Sequence, residues 1–156
     1  MHNLVKSYLD GIAQVKEAVA GIGEPLLSFK PKDDAWSIKE IAIHLCDADL
    51  VAAYRMKKVI AEDNPLLMAF DQDAWTSRLG YSGLDHAFYL QLFGTIRSGM
   101  AEVLNNLPEE AWARTGIHNV AGKITLQDIV ESYIGHVNDH VQQIERNKAA
   151  FAKGNR

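Results

Sequence analysis

The chain has 156 residues, enough for one domain around one core, and its make-up of 47% hydrophobic and 23% charged residues is that of an ordinary globular protein. The net charge is −4 and Lys and Arg form no block or stripe, which excludes nucleic acid as the main partner, because phosphate backbones are held by clustered basic residues. The single cysteine, Cys46, has no internal partner for a disulfide, residues Met1 to Asp10 hold no unbroken apolar core, and no run is long enough to cross a bilayer, so a reducing cytoplasmic setting is expected, with no signal peptide and no membrane partner.

The hydrophobic periodicity is helical from the start. His2 to Gly21 places Leu4, Tyr8, Ile12, Val15 and Val19 at steps of three and four, and Gly21 and Gly23 are natural terminators. Because these glycines follow a helix rather than a strand, they do not form a dinucleotide-binding turn. The second helix is expected to start at Ser37, where Ser37-Ile38-Lys39-Glu40 fits a capping box. Its apolar face runs through Ile38, Ile41, Leu45, Ala48, Ala52, Met56 and Val59, and Trp36 is placed to staple the entry by packing on Ile41.

About twenty residues, Glu62 to Tyr81, then separate the second helix from the third. A helix of about 24 residues spans roughly 36 Å, and about 20 extended residues reach roughly 65 Å. The connection can therefore run the full length of a bundle, which permits the second and third helices to lie parallel. The third helix is expected from near Ser82 to Asn106. Its apolar residues cover two stripes, Leu84, Phe88, Leu92 and Val103 on one and Tyr89, Phe93, Ile96 and Met100 on the other, an arc that implies deep burial or a face shared with a second copy. A shorter helix is expected over Pro108 to Arg114, and Gly116 to Ile124 reads as a turn or a short extended piece. The last helix, Thr125 to Phe151, opens on a cap at Thr125-Leu126-Gln127-Asp128 and carries Ile129, Val130, Tyr133, Val137, Val141 and Ile144 inward. These elements make one all-α domain over residues 1–156.

The chemistry gathers on that last helix. His136 and His140 are four residues apart, so their rings lie one above the other on the Ile129–Tyr133–Val137 stripe. Two such imidazoles can reach one metal ion, and His44, inside the second helix, is the candidate third ligand. Two core-edge histidines bonded to backbone or carboxylate would satisfy the same pattern, and spacing alone leaves both readings open. Val137 stands where a zinc-protease helix needs glutamate, which disfavours that class. Asp47, three residues past His44, is the candidate catalytic residue, as a base or as an orienting partner; a solvated surface carboxylate is the alternative. Gln143 carries the same ambiguity. His118 is either at the mouth of the site or bonded within its loop, while His2 and His86 read as surface residues. Arg55 and Arg97 are candidates for carboxylate contacts or are solvated surface charges. Cys46 is turned away from His44 and reads as a small buried residue, and Trp36, Trp75 and Trp112 as aromatics packing loops onto the bundle.

Several segments together resemble the DinB-like superfamily, which includes YfiT-type metal-dependent hydrolases and bacterial thiol transferases. They are Ala35-Trp36-Ser37-Ile38-Lys39-Glu40-Ile41 leading to His44-Leu45, then Ala61-Glu62-Asp63-Asn64-Pro65 through Phe70-Asp71-Gln72-Asp73-Ala74-Trp75, then Thr125-Leu126 through His136-Val137-Asn138-Asp139-His140 and Gln143-Ile144. The resemblance implies a four-helix bundle with a long crossover after its second helix. It also implies a divalent metal, nickel or zinc, on His44, His136 and His140, and a homodimer. One departure is His118-Asn119, where many relatives have His-Pro. Two functional classes follow. One is a metal-dependent enzyme acting on a small molecule, as a hydrolase or as a transferase using a low-molecular-weight thiol. The other is a non-catalytic dimeric bundle that binds metal or ligand for sensing or storage.

Overall fold

Four long helices carry the fold in the computed structural model, which describes residues 2–154. They are α1 (His2–Val19), α2 (Ile38–Ala61), α4 (His86–Asn105) and α5 (Leu126–Gly154); α3 (Gln72–Arg78) and the strands β1 (Leu66–Leu67), β2 (Thr115–His118) and β3 (Gly122–Thr125) are short. Each long helix packs on two neighbours, in the circular order α1, α4, α2, α5. Cross-links give the directions. Lys39 Nζ donates to Ser82 O (3.2 Å) beside the starts of α2 and α4, and Arg97 meets Asp49 at mid-length, so these two helices run parallel. On α5 the order reverses: Tyr133 takes a hydrogen bond from Arg55, and Asn147 Nδ2 donates to Trp36 O (2.9 Å) just before α2 begins. The crossover from α2 to α4 therefore travels the length of the bundle, as its extended reach allows.

The capping signals in the sequence are realised. Ser37 Oγ accepts from Glu40 N (3.2 Å) and Glu40 Oε2 accepts from Ser37 N (2.8 Å), both buried. Thr125 and Asp128 form the same reciprocal pair at the start of α5, with Oγ1 accepting from Asp128 N (3.0 Å) and Oδ2 from Thr125 N (2.8 Å). Ser37→Ala is expected to cost about 1 kcal/mol and to lower Tm by roughly 2–4 °C in thermal unfolding, because a buried N–H at the start of α2 loses its acceptor.

Two local expectations need correction, the start of the third long helix and the crossover read as a plain connection, and two are made more specific. The third long helix starts at His86 rather than near Ser82, because Asp85 Oδ1 takes the Ala87 (2.9 Å) and Phe88 (3.4 Å) N–H groups and Tyr81–Gly83 closes as a 3₁₀ turn. The Pro108–Arg114 helix is a 3₁₀ helix over Glu109–Ala113. The crossover contains α3, capped by Asp71 Oδ1 on Ala74 N (2.9 Å). The Gly116–Ile124 segment is a true hairpin, β2 antiparallel to β3, and β1 adds to it in parallel through Leu66↔Ile117 and Leu67↔His118. A strand as short as β1 has no periodicity to read; only a partner about fifty residues away defines it.

The core has two apolar clusters, one around Tyr8, Met56, Met100 and Val130, the other around Val15, Ile41, Leu45, Phe93 and Ile144. Arg97 lies between them. It is 0% exposed and Asp49 is 1% exposed, which corrects the reading of Arg97 as a surface charge. Its guanidinium makes a two-point pair with Asp49, donates to Tyr8 O (2.6 Å) and Tyr133 O (2.8 Å), and sits over the Tyr8 ring at 4.3 Å. One ionic group thus ties all four long helices together. Gly11 makes room for it, since a Cβ at that position would collide with Arg97 Nη1. On α4, Phe93 and Met100 are buried while Phe88 and Val103 of the other stripe are exposed.

Candidate metal centre

α2 and α5 run antiparallel side by side, and this brings His44 opposite His136 and His140. The three Nε2 atoms converge. His136 Nε2 lies 3.1 Å from His44 Nε2 and 3.0 Å from His140 Nε2, and one nitrogen from each ring falls within 4.8 Å of the others. His44 is fully buried and the other two are half-buried.

These distances test whether the group fits an ion. Nitrogens held at ~2.0–2.1 Å from one metal lie about 3.3–3.4 Å apart in a tetrahedron and about 2.8–3.0 Å apart in an octahedron. The two observed edges fall within or beside that range. A ring nitrogen has one in-plane proton or one lone pair, so His136 Nε2 has a single group to share between two ring nitrogens at 3.0 and 3.1 Å, a strained arrangement for ordinary hydrogen bonds. A cation at the point of convergence would satisfy all three lone pairs. The surrounding contacts aim the rings the same way. His140 Nδ1 is 2.8 Å from Gln143 Oε1, an acceptor only, so Nδ1 carries the proton and Nε2 the free lone pair. Gln143 is therefore an orienting partner for His140. Trp36 covers the site, 4.6 Å from the His44 ring and nearly parallel to His140 at 5.9 Å. It was expected to staple the helix entry on Ile41; it packs on that apolar cluster and also forms a wall of the histidine group.

The electrostatics keep the rings neutral. Burial pushes His44 down to about 3, helped by His140 and His136, and pushes His136 down to about 3, helped by His140 and Arg97. Burial also lowers His140, against the upward pull of Gln143. An unfolded histidine titrates near 6.5. In the metal-free protein the unfolded chain therefore binds more protons between about pH 6.5 and about pH 3. The stability these neutral rings contribute is full above that window and is lost as pH falls through it. For His44 alone the expected loss is roughly 2 kcal/mol between pH 7.5 and 5. Urea unfolding of chelator-treated protein and of its His44→Gln variant at the two pH values measures it by difference, since Asp49, which burial pushes up to about 6, acts in the opposite direction over the same window. An equal pH dependence in the two proteins would show that His44 is not held neutral.

The other candidates are placed as follows. The carboxylate of Asp47 accepts from Tyr81 Oη at 2.5 Å, fastening the crossover to α2. Among the described residues no hydrogen bond joins it to the three rings, and His44 Nδ1 is buried without a partner. Cys46 is buried, and desolvation with the nearby Asp47 and Asp49 pushes its thiol up to about 12, so it is a packing residue. His2 is exposed and His86 half-buried. His118 lies both in its turn and at the site: its Nδ1 accepts from Val120 N (3.2 Å) and Ala121 N (3.1 Å), and its ring lines a cleft of about 240 Å³ that reaches His136. Arg55 and Tyr133 line the same cleft. Tyr133 reads from sequence only as a core residue; its place one turn before His136 is the signal that could have marked it.

Comparison with known proteins agrees with this architecture. The solved structure of YfiT from Bacillus subtilis, described as an unusual four-helix bundle topology, superposes with a TM-score of 0.90 over 97% of this chain and 87% of that one, at 20% identity. At the sequence level, the chain is 23% identical over 133 residues to the protein named "Putative metal-dependent hydrolase YfiT" of Bacillus subtilis, covering 85% of this chain and 75% of that one. It is 25% identical over 145 residues to a Geobacillus thermodenitrificans protein with the same hydrolase designation, covering 90% of this chain and 82% of the relative. The DinB superfamily profile matches residues 10–144, from α1 to beyond the last of the three histidines, and the chain therefore belongs to the DinB superfamily.

Proposed function

We propose that this protein is a metal-dependent hydrolase of small molecules, with His44, His136 and His140 as the ligands of one divalent cation. The observation that carries the reading is the convergence of three neutral Nε2 atoms, two edges of the triangle being 3.0 and 3.1 Å. All-imidazole donors suit nickel or zinc, and three protein ligands leave a coordination position open, as catalytic rather than structural sites do. Such an ion supplies Lewis-acid polarisation of a bound carbonyl or phosphoryl group and acidifies water at the open position. The chain's own part is to hold the donor rings neutral and aimed, through burial and Gln143, and to shield them with Trp36. Asp47 fastens the crossover to α2 through Tyr81.

The test begins with metal content. Protein purified and reconstituted with Zn²⁺ or Ni²⁺ is expected to hold one equivalent per chain by elemental analysis, and His140→Ala to hold far less. Loaded protein is then assayed on ester, amide and phosphoester panels, and for conjugation of a low-molecular-weight thiol to a monochlorobimane-type electrophile. Metal-dependent hydrolysis supports the proposal; thiol conjugation alone would replace it with a transferase. Failure to bind any divalent metal removes both. Metal bound with no activity on any panel would leave the non-catalytic sensing or storage role.

A further inference from the structure

The cleft beside His136 is built from four elements. Arg55 comes from α2, Gln72 from α3, His118 from β2, and Tyr133 and His136 from α5. Its polar groups are biased toward donors. Arg55 Nη1 donates to Tyr133 Oη (3.0 Å) and Nη2 donates to Met68 O, while Nε is buried with no acceptor among the described residues. Both acceptors are neutral, and among the described residues no carboxylate lies within ion-pair distance of Arg55. This contrasts with Arg97, whose charge is matched by Asp49. A half-buried guanidinium without a counter-ion is costly in a fold that elsewhere pairs its buried charge, and a bound anion removes the cost. His118 adds a second donor. Its Nδ1 accepts two backbone N–H groups, so in the neutral ring the proton is on Nε2. Burial and the neighbouring Arg55 both favour that neutral form.

We propose that this cleft is a carboxylate-binding subsite, in which Arg55 supplies the cation and His118 Nε2–H a further donor, and that the substrate of the adjacent histidine centre is a small molecule bearing one carboxylate. A single cation matches a monoanion and would leave a phosphate dianion half compensated. The volume of about 240 Å³ is below the ~300–1,000 Å³ usual for drug-sized ligands, which suits a small acid. Tyr133 bridges the two parts of the site: its hydroxyl takes the Arg55 hydrogen bond and its ring lies 5.8 Å from that of His136, so an acid held at Arg55 presents its other end to the histidine group. The substrate assignment rests on the metal-centre reading; the carboxylate subsite does not.

The experiment is ligand-observed ¹⁹F NMR with 4-fluorobenzoate as the probe and 4-fluorobenzamide as its neutral match, on metal-free and Zn²⁺-loaded protein. The benzoate is expected to bind both forms and at least tenfold more tightly than the amide. Arg55→Gln is expected to weaken benzoate binding about tenfold or more and to leave the amide unchanged. In His118→Asn, Oδ1 can still accept the Val120 and Ala121 amides while the Nε2–H is lost, and a loss of several-fold is expected. This variant keeps the test valid if Arg55→Gln fails to fold. Equal binding of acid and amide overturns the subsite. So does benzoate binding that requires zinc and ignores Arg55, since the carboxylate is then a metal ligand. Displacement by inorganic phosphate more tightly than by benzoate overturns the carboxylate assignment. Arg55-dependent binding that persists in His140→Ala, in a protein that takes up no metal, supports the subsite while removing the metal-centre reading.

Discussion

Asp49→Ala is expected to destabilise the protein by about 3–5 kcal/mol, the cost of leaving a buried charge without its partner. Arg97 would keep its two carbonyl acceptors, Tyr8 O and Tyr133 O, but no countercharge, in a position 0% exposed. Natural domains are stable by only about 5–15 kcal/mol, so much of the folding free energy is at stake, and Tm should fall by roughly 10 °C or more. Burial pushes the Asp49 carboxyl up to about 6 against the pull of Arg97, which still leaves it ionised at pH 7.5, where the measurement is made. The double variant Asp49→Leu/Arg97→Met is expected to recover most of the loss, because an apolar pair of similar volume removes both desolvation costs. The two carbonyls freed by the double change lie within α1 and α5 and keep their helical bonding. Equilibrium urea unfolding of the three proteins checks this. If the double variant is no more stable than Asp49→Ala, the pair acts through specific geometry rather than through its charge balance.

The second large effect is at the histidine group. His136→Ala is expected to reduce divalent-metal affinity by more than about 100-fold, since loss of an outer partner alone typically costs 10–100-fold. His136 is the most sensitive position because both short nitrogen–nitrogen distances run through its Nε2. Gln143→Leu, which removes the acceptor that aims His140, should fall within the 10–100-fold range. Chelator competition with cobalt-substituted protein gives both numbers, and far-UV circular dichroism shows whether the helices survive. Equal metal retention by His136→Ala and the unaltered chain would mean that the cation binds elsewhere.

The cores of the long helices were readable in the sequence because apolar spacing at steps of three and four is a local property. Ser37 with Glu40 and Thr125 with Asp128 announced the starts of α2 and α5 for the same reason: a cap is satisfied within four residues. The parallel course of α2 and α4 was accessible as a length argument. β1 was not, because two residues carry no period, and its definition depends on Ile117 and His118. The α4 start was misplaced by about four residues because Ser82 looks as good a cap as Asp85 until the backbone shows which N–H groups are taken.

The site divides in the same way. His136 and His140 on one stripe of one helix, and His44 on the buried face of another, were determined by the sequence together with its family resemblance, because helical spacing sets which side chains share a face. Tertiary structure alone decided that the three Nε2 atoms meet, that Asp47 turns to Tyr81, and that Trp36 covers the rings. It also decided that two arginines of similar local context have opposite fates: Arg97 at the centre of the bundle against Asp49, Arg55 at a cleft with no carboxylate of the described residues within ion-pair distance. Charge pairing between helices depends on which residues lie across from one another in space, and no local pattern along a chain encodes that.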